Sequence, residues 1–415
     1  MKVNLNKYPK FTHSLYLFTP MPLDLQYTHL SEIYCLRPCQ NAEATDLIAL
    51  GGENSVQIIR VTDSSCESIA SFRVGTRITA LAWSSSTVSP SSNENWMLEL
   101  VAATADFGLH LLTKSPKESE YIFTFGGGLS GHHGKINDIA FCGGFNGDDS
   151  ARYVATVSDD KMLMVWDLHP SIDIRAVHNL PSSRSPSPSN PNNIDDDMDD
   201  IGSPSSSSRP QPTAYVIPFP YPLTSIRSHP TTAKDFLVAD CRGSVFLTDW
   251  RTDPDEAEEG VMRHFSLNEL IEPATLAAAC MNEKVPWSAS VDWRVDTPDI
   301  IGGVYGKRFV VWDIKKLAGG LPYVTGGTFP EGGDTFRWCR THPDYFAIST
   351  RTPAKGAVLH VHNLSYAQAS PNPISLRPKP HFIRDFDFLG LPGIPRVAAA
   401  VGRDVIIFPI GEDTT

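Results

Sequence analysis

The sequence predicts an all-β chain folded as a closed ring of seven four-stranded blades, and three observations carry that prediction. Residues 131–167, GHHGKINDIAFCGGFNGDDSARYVATVSDDKMLMVWD, open on Gly-His, close on Trp-Asp and hold three short apolar runs separated by turn residues. Further groups of three or four β-type runs recur along the chain, in keeping with a repeat of about 40 to 45 residues. Composition agrees, since 29 Gly and 33 Pro with 10% aromatic residues suit short strands and tight turns better than helices. Although 415 residues would ordinarily suggest two or three domains, a repeat architecture takes them as one domain, 1–415.

The unit at 131–167 has the form of a WD repeat. In such a repeat a buried polar relay runs from a Trp indole N–H through a hydroxyl to a His and an Asp. Here those positions are Trp166, Thr156, His132 and Asp160. With each group partnered, the cost of burying it is offset. No other unit carries all four residues, so the remaining blades are expected to lean on packing.

In chain order, the first blade is read from residues 32–38, 46–50, 55–61 and 68–74. The second comes from 77–83, 97–104, 108–113 and 121–125, interrupted by a polar loop at 84–95. The third is the opening unit, with AYVIPFPYPL (214–223) as its fourth strand. The fourth runs through 223–230, 235–240, 244–250 and 261–267, with Thr248-Asp249 where Trp-Asp would stand. The fifth contains 287–293, 300–306 and 308–314; it keeps Trp312-Asp313 but has Gly306 at the relay's Asp position. Residues 335–364 make the sixth, and 382–410 the seventh, which shows only three strands. A ring left with an open edge exposes unpaired N–H and C=O groups. FTHSLYLF (11–18) is therefore expected to pair with 405–409 and close the ring.

Two insertions account for the surplus length. Residues 181–212 are dominated by Ser, Pro, Asn and Asp, cannot bury enough apolar area to offset ordering, and read as a disordered loop. Ser185, Ser187 and Ser203 each precede Pro there, a context open to proline-directed phosphorylation. Residues 266–284, SLNELIEPATLAAACMNEK, read as a short helical insertion between blades four and five, because Ser266 and Glu269 fit a capping box.

The formal net charge of -12 and the lack of any Lys/Arg-rich run argue against direct nucleic-acid binding. No run of about 18 apolar residues is present to span a membrane. Seven scattered cysteines, with nothing like a secretory signal after Met1-Lys2, point to a reducing compartment, cytosol or nucleus. Cys35 and Cys39 lack a second pair or a nearby His at zinc spacing. His132-His133 is absorbed by the relay, Gly126-Gly127-Gly128 lacks a following Lys-Ser/Thr, and the Asp run at 195–200 lacks the Gly and terminal Glu of a calcium loop. The strands expected to line the channel, RITALAW, KINDIAF and LTSIRSH, show only scattered ionisable groups. No catalytic residues, metal or cofactor are expected.

FLVADCRGSVFLTDWR, LNELIEPATLAAACMNEK and WSASVDWRVDTPDIIGGVYGKRFVVWDI follow INDIAF and VATVSDDKMLMVWDL in an order that resembles the small WD-repeat nucleoporins, in their fungal version. The resemblance covers nearly all seven blades and rests on blade order and degenerate repeats. It implies a non-catalytic scaffold subunit of the Y-shaped outer-ring complex of the nuclear pore, at the nuclear envelope. The implied partner is the large subunit that combines a propeller with a helical solenoid. It supplies no contact residues for this chain. The competing expectation is an adaptor or substrate receptor in a ubiquitin ligase or chromatin complex. Ligase receptors resemble one another in an Arg two residues beyond a Trp-Asp pair, where this chain has His169 and Lys315.

Overall fold

The computed structural model describes residues 25–143, 150–169, 210–250, 266–272, 289–316 and 321–411, and these form seven antiparallel four-stranded sheets arranged as one β-propeller. The innermost strands are β2 (Cys35–Pro38), β6 (Ile78–Trp83), β10 (Ile136–Phe141), β14 (Leu223–Ser228), β18 (Ala289–Trp293), β22 (Thr335–Trp338) and β26 (Asp385–Phe388). Each neighbours the next, and β26 returns to β2. No described helix is long and apolar enough to cross a membrane.

Burial follows position within a blade. Second strands such as β3 (Leu47–Gly51) and β11 (Tyr153–Ser158) are buried along their whole length, because neighbouring blades cover both faces. Outer strands such as β5 (Cys66–Arg73) and β13 (Thr213–Pro218) are largely exposed, with buried residues only at intervals. The apolar core is accordingly divided into seven clusters, one at each seam between adjacent blades.

The ring is closed as expected by a strand from early in the chain, but a different segment supplies it. Strand β1 (Leu25–Thr28) lies antiparallel to β28 (Asp404–Pro409), with Leu25 opposite Ile407 and Thr28 opposite Asp404. Residues 11–18 lie outside the described residues. Leu25 and Tyr27 pack on the seam between blades seven and one, so the closing strand contributes apolar contact as well as ladder bonds.

The second correction concerns 266–284. Ser266–Leu270 is strand β17, the fourth of blade four, paired with Val245–Asp249 so that Ser266 faces Asp249 and Leu270 faces Val245. The capping-box pattern begins no helix there, because the open edge of blade four takes those backbone groups into its ladder. This also displaces the expected fourth strand from 261–267. Residues 273–284, the remainder of the expected helical insertion, lie outside the described residues, as do 181–209 of the loop expected at 181–212. Blade three takes its fourth strand from Thr213–Pro218.

At the seam of blades five and six two histidines, His362 buried and His360 partly buried, lie among aromatic rings. His360 stacks on Phe329 at 3.7 Å between ring centroids, and His362 lies parallel to Phe346 at 4.9 Å. Burial pushes both imidazoles down to about 4. For His360 the Lys355 charge adds to this against Glu331, and for His362 the neighbouring His360 does. The unfolded chain takes up protons near pH 6.5, whereas the folded chain resists until about pH 4. Stability therefore falls as pH drops through that window and levels off below it. Between pH 7 and 5 each ring should contribute a loss of about 1–2 kcal/mol. Urea unfolding of the wild type and of H360Q/H362Q at both pH values tests this, and equal pH slopes would refute it.

Candidate functional site: a charged channel

The four relay residues are brought together in blade three. The Trp166 Nε1–H donates to Thr156 Oγ1 at 3.0 Å, and Thr156 Oγ1 lies 2.7 Å from His132 Nε2. The His132 Nδ1 lies 2.8 Å from Asp160 Oδ2, which also accepts the His133 backbone N–H at 2.9 Å. Burial lowers the His132 pKa despite the Asp160 hydrogen bond. A neutral ring then accepts from Thr156 through Nε2 and donates to Asp160 through Nδ1, so every donor in the chain points the same way. This is architecture: His132 is enclosed and its two nitrogens are both engaged.

Blade two departs from the expectation that the other six rely on packing. Its Thr104 donates to Asp106 at 2.5 Å and lies 3.4 Å from His110 Nε2, while His110 Nδ1 sits 3.1 Å from Thr124 Oγ1. In blade five Gly306 leaves the Asp position empty, and Trp312 packs edge-on against Tyr305 instead.

The channel is where the structure adds most. On each inner strand a buried apolar residue separates two that face the axis, by ordinary strand alternation. Around the ring the first of these positions is Cys35, Ala80, Asp138, Ser225, Ser290, Thr335 and Asp385. The second is Arg37, Ala82, Ala140, Arg227, Asp292, Arg337 and Asp387. Far from scattered, the ionisable groups form a belt of three arginines and four aspartates drawn from six blades. This corrects the sequence expectation for the channel.

The belt is desolvated and closely paired. The Arg37, Arg227 and Arg337 side chains are only 14%, 13% and 5% exposed. Arg37 reaches Asp385 of blade seven at 2.8 Å and Asp138 of blade three at 3.1 Å, crossing the small Ala82 of blade two. Arg227 holds the other oxygen of Asp138 at 2.6 Å and lies 3.7 Å from Asp292. Arg337 lies 3.6 Å from both Asp385 and Asp387. Burial would raise the Asp138 pKa, but Arg227 and Arg37 hold it down to about 2. Burial and the two neighbouring guanidinium charges lower Arg337 to about 10, and burial raises Asp387.

The aspartates also stitch blades together through the backbone. Asp138 accepts the Ile226 N–H at 3.1 Å, Asp292 the Trp338 N–H at 2.8 Å and Asp385 the Leu36 N–H at 3.0 Å. Each bond crosses from one inner strand to the next. The belt thus offsets most of its own charge and ties the ring, leaving its carboxylates committed to guanidinium and amide partners.

Beyond the belt the channel opens into a funnel of about 640 Å³. Its lining includes seven basic side chains against four aspartates, a local excess of positive charge in a chain of net charge -12. Arg351 pairs with Asp334 at 2.9 Å and Arg384 with Glu32 at 2.8 Å. Among the described residues Arg77 and Lys135 make no ion pair; the Arg77 guanidinium lies 5.2 Å from the Tyr34 ring centroid.

Other sequence candidates stay apart. Cys35 and Cys39 are buried free thiols, pushed up by burial, Cys39 to about 12. No group of three His, Cys, Asp or Glu gathers at metal distance among the described residues. Ser185, Ser187 and Ser203 lie outside the described residues. His169 is exposed, and Lys315 pairs with Asp299 at 2.5 Å.

No family profile matches the chain, and no curated protein matches it by sequence. Among solved structures it is similar to Raptor of Chaetomium thermophilum, with a TM-score of 0.56 and 12% identity over 94% of this chain. The match spans 29% of the Raptor chain. As 949 solved chains share such likeness, it establishes the propeller and selects no function.

Proposed function

We propose that the protein is a scaffold subunit of the nuclear pore outer ring, docking by its propeller onto the large propeller-plus-solenoid subunit of the Y complex at the nuclear envelope. One observation carries this reading: the order of degenerate blades, from the intact repeat at 131–167 through the decayed Thr248-Asp249 to Trp312-Asp313, resembles that of the small WD-repeat nucleoporins. A ring whose inner strands are tied by paired charges suits a rigid docking body. The ligase-receptor alternative is disfavoured by His169 and Lys315, which stand where such receptors carry arginine.

Affinity purification of the tagged full chain from its native cells is expected to recover outer-ring pore components, the large subunit among them. Cross-linking should then place lysines of the propeller against that subunit. Recovery of ligase linker proteins without pore components would overturn the proposal.

A further inference from the structure

The funnel above the charge belt has the shape and chemistry of a binding site that scaffolding alone does not require. Its volume of about 640 Å³ falls within the range of small-ligand sites. Its floor is the belt itself: Arg37 and Arg227 line both this funnel and the smaller space on the opposite side of the ring. A ligand therefore enters and leaves by one mouth, which disfavours a threaded chain.

Cations approach the axis from several directions. Arg77 belongs to blade two, Lys135 to blade three, Arg351 to blade six and Arg384 to blade seven, and all four line the funnel. They are close enough to interact: burial lowers the Lys135 pKa, and the charges of Arg351 and then Arg77 add to that against Asp159 and Asp334. Lys135 is nevertheless exposed and opens onto the funnel. Arg77 and Lys135 thus present positive charge that no described carboxylate pairs with at ion-pair distance. Guanidinium groups match phosphate oxygens in their fork geometry.

We infer that the funnel binds a compact polyphosphate, a small scaffold bearing phosphates around its perimeter, as an inositol polyphosphate does. The radial placement of the cations favours this over an extended acidic peptide, whose charges would face only part of the ring. Tyr34, which lies between the Arg77 and Arg384 guanidinium groups, completes one wall of the site. The inference rests on the channel geometry and is independent of the nuclear pore reading.

Calorimetric titration of the full chain with myo-inositol hexakisphosphate is the test, with inorganic phosphate and a phosphoserine peptide of matched charge as the other arms. Saturable binding of the hexakisphosphate, tighter than either other ligand, is expected. Arg77→Glu and Lys135→Glu should each weaken it at least about ten-fold. Both side chains are exposed, so melting without ligand should stay unchanged. Lys316→Glu, outside the funnel, should leave binding intact. Absence of binding, equal loss with K316E, or tighter binding of the phosphopeptide would each overturn the inference.

Discussion

Asp138→Ala is expected to destabilise the ring by about 3–5 kcal/mol, the cost of removing one partner from a buried ion pair. The side chain joins Arg37 and Arg227 through different oxygens and accepts the Ile226 N–H of the adjoining blade. Its loss leaves two guanidinium groups facing each other in a desolvated channel. Asp138→Asn separates the contributions, since it keeps the shape and one acceptor while removing the charge, and should fall between Ala and wild type. Urea unfolding provides the measurement. A loss below about 1 kcal/mol for the alanine variant would mean that water or Asp385 compensates, and the belt would not be the fastener described here. The pH dependence has a definite sign: with its folded pKa lowered to about 2, Asp138 contributes stability above the ordinary carboxylate range and loses it as pH falls toward 2.

Trp166→Ala should cost about 3–5 kcal/mol by the usual scale for a large buried aromatic. The ring meets Phe125 of blade two edge-on at 5.6 Å, so truncation opens a void at the seam of blades two and three. It also removes the indole donor to Thr156. Trp166→Phe retains most of the volume and loses the donor, and should cost about 1–3 kcal/mol. Asp160→Ala, which strips His132 and the His133 amide of their acceptor, should cost a similar amount. Thermal or denaturant melting in which neither Trp166→Ala nor Asp160→Ala loses stability would refute the relay's role.

What was legible in the sequence divides by the range over which its cause acts. Seven blades and the relay could be read because their signals repeat locally: Gly131-His132, the Asp160 turn and Trp166-Asp167 lie within one unit. The closing strand was misplaced because FTHSLYLF has stronger β character than Leu25-Gln26-Tyr27-Thr28, while the choice is made by an edge at Asp404–Pro409, far along the chain. Ser266 and Glu269 satisfy a helix-start pattern, and only the open edge of Val245–Asp249 makes them a strand. The charge belt was missed for a related reason. Its members occur singly, one or two to a blade, and each looks like an isolated ionisable residue until the inner strands are placed in register. Comparing the residue that follows the buried apolar position in each inner strand would have shown Arg37, Arg227, Asp292, Arg337 and Asp387 at one level.

The closing pair has a consequence for synthesis. Thr28 donates to Asp404 across 376 residues of sequence, and the ladder they belong to completes the last sheet. At roughly 5–20 residues per second, the ribosome delivers β28 about 20 to 75 s after β1 has emerged. Through that interval Leu25–Thr28 is an unpaired strand beside a growing arc with apolar flanks. The nascent chain therefore needs protection longest at this closing strand, and the ring becomes aggregation-resistant only when the final blade is translated.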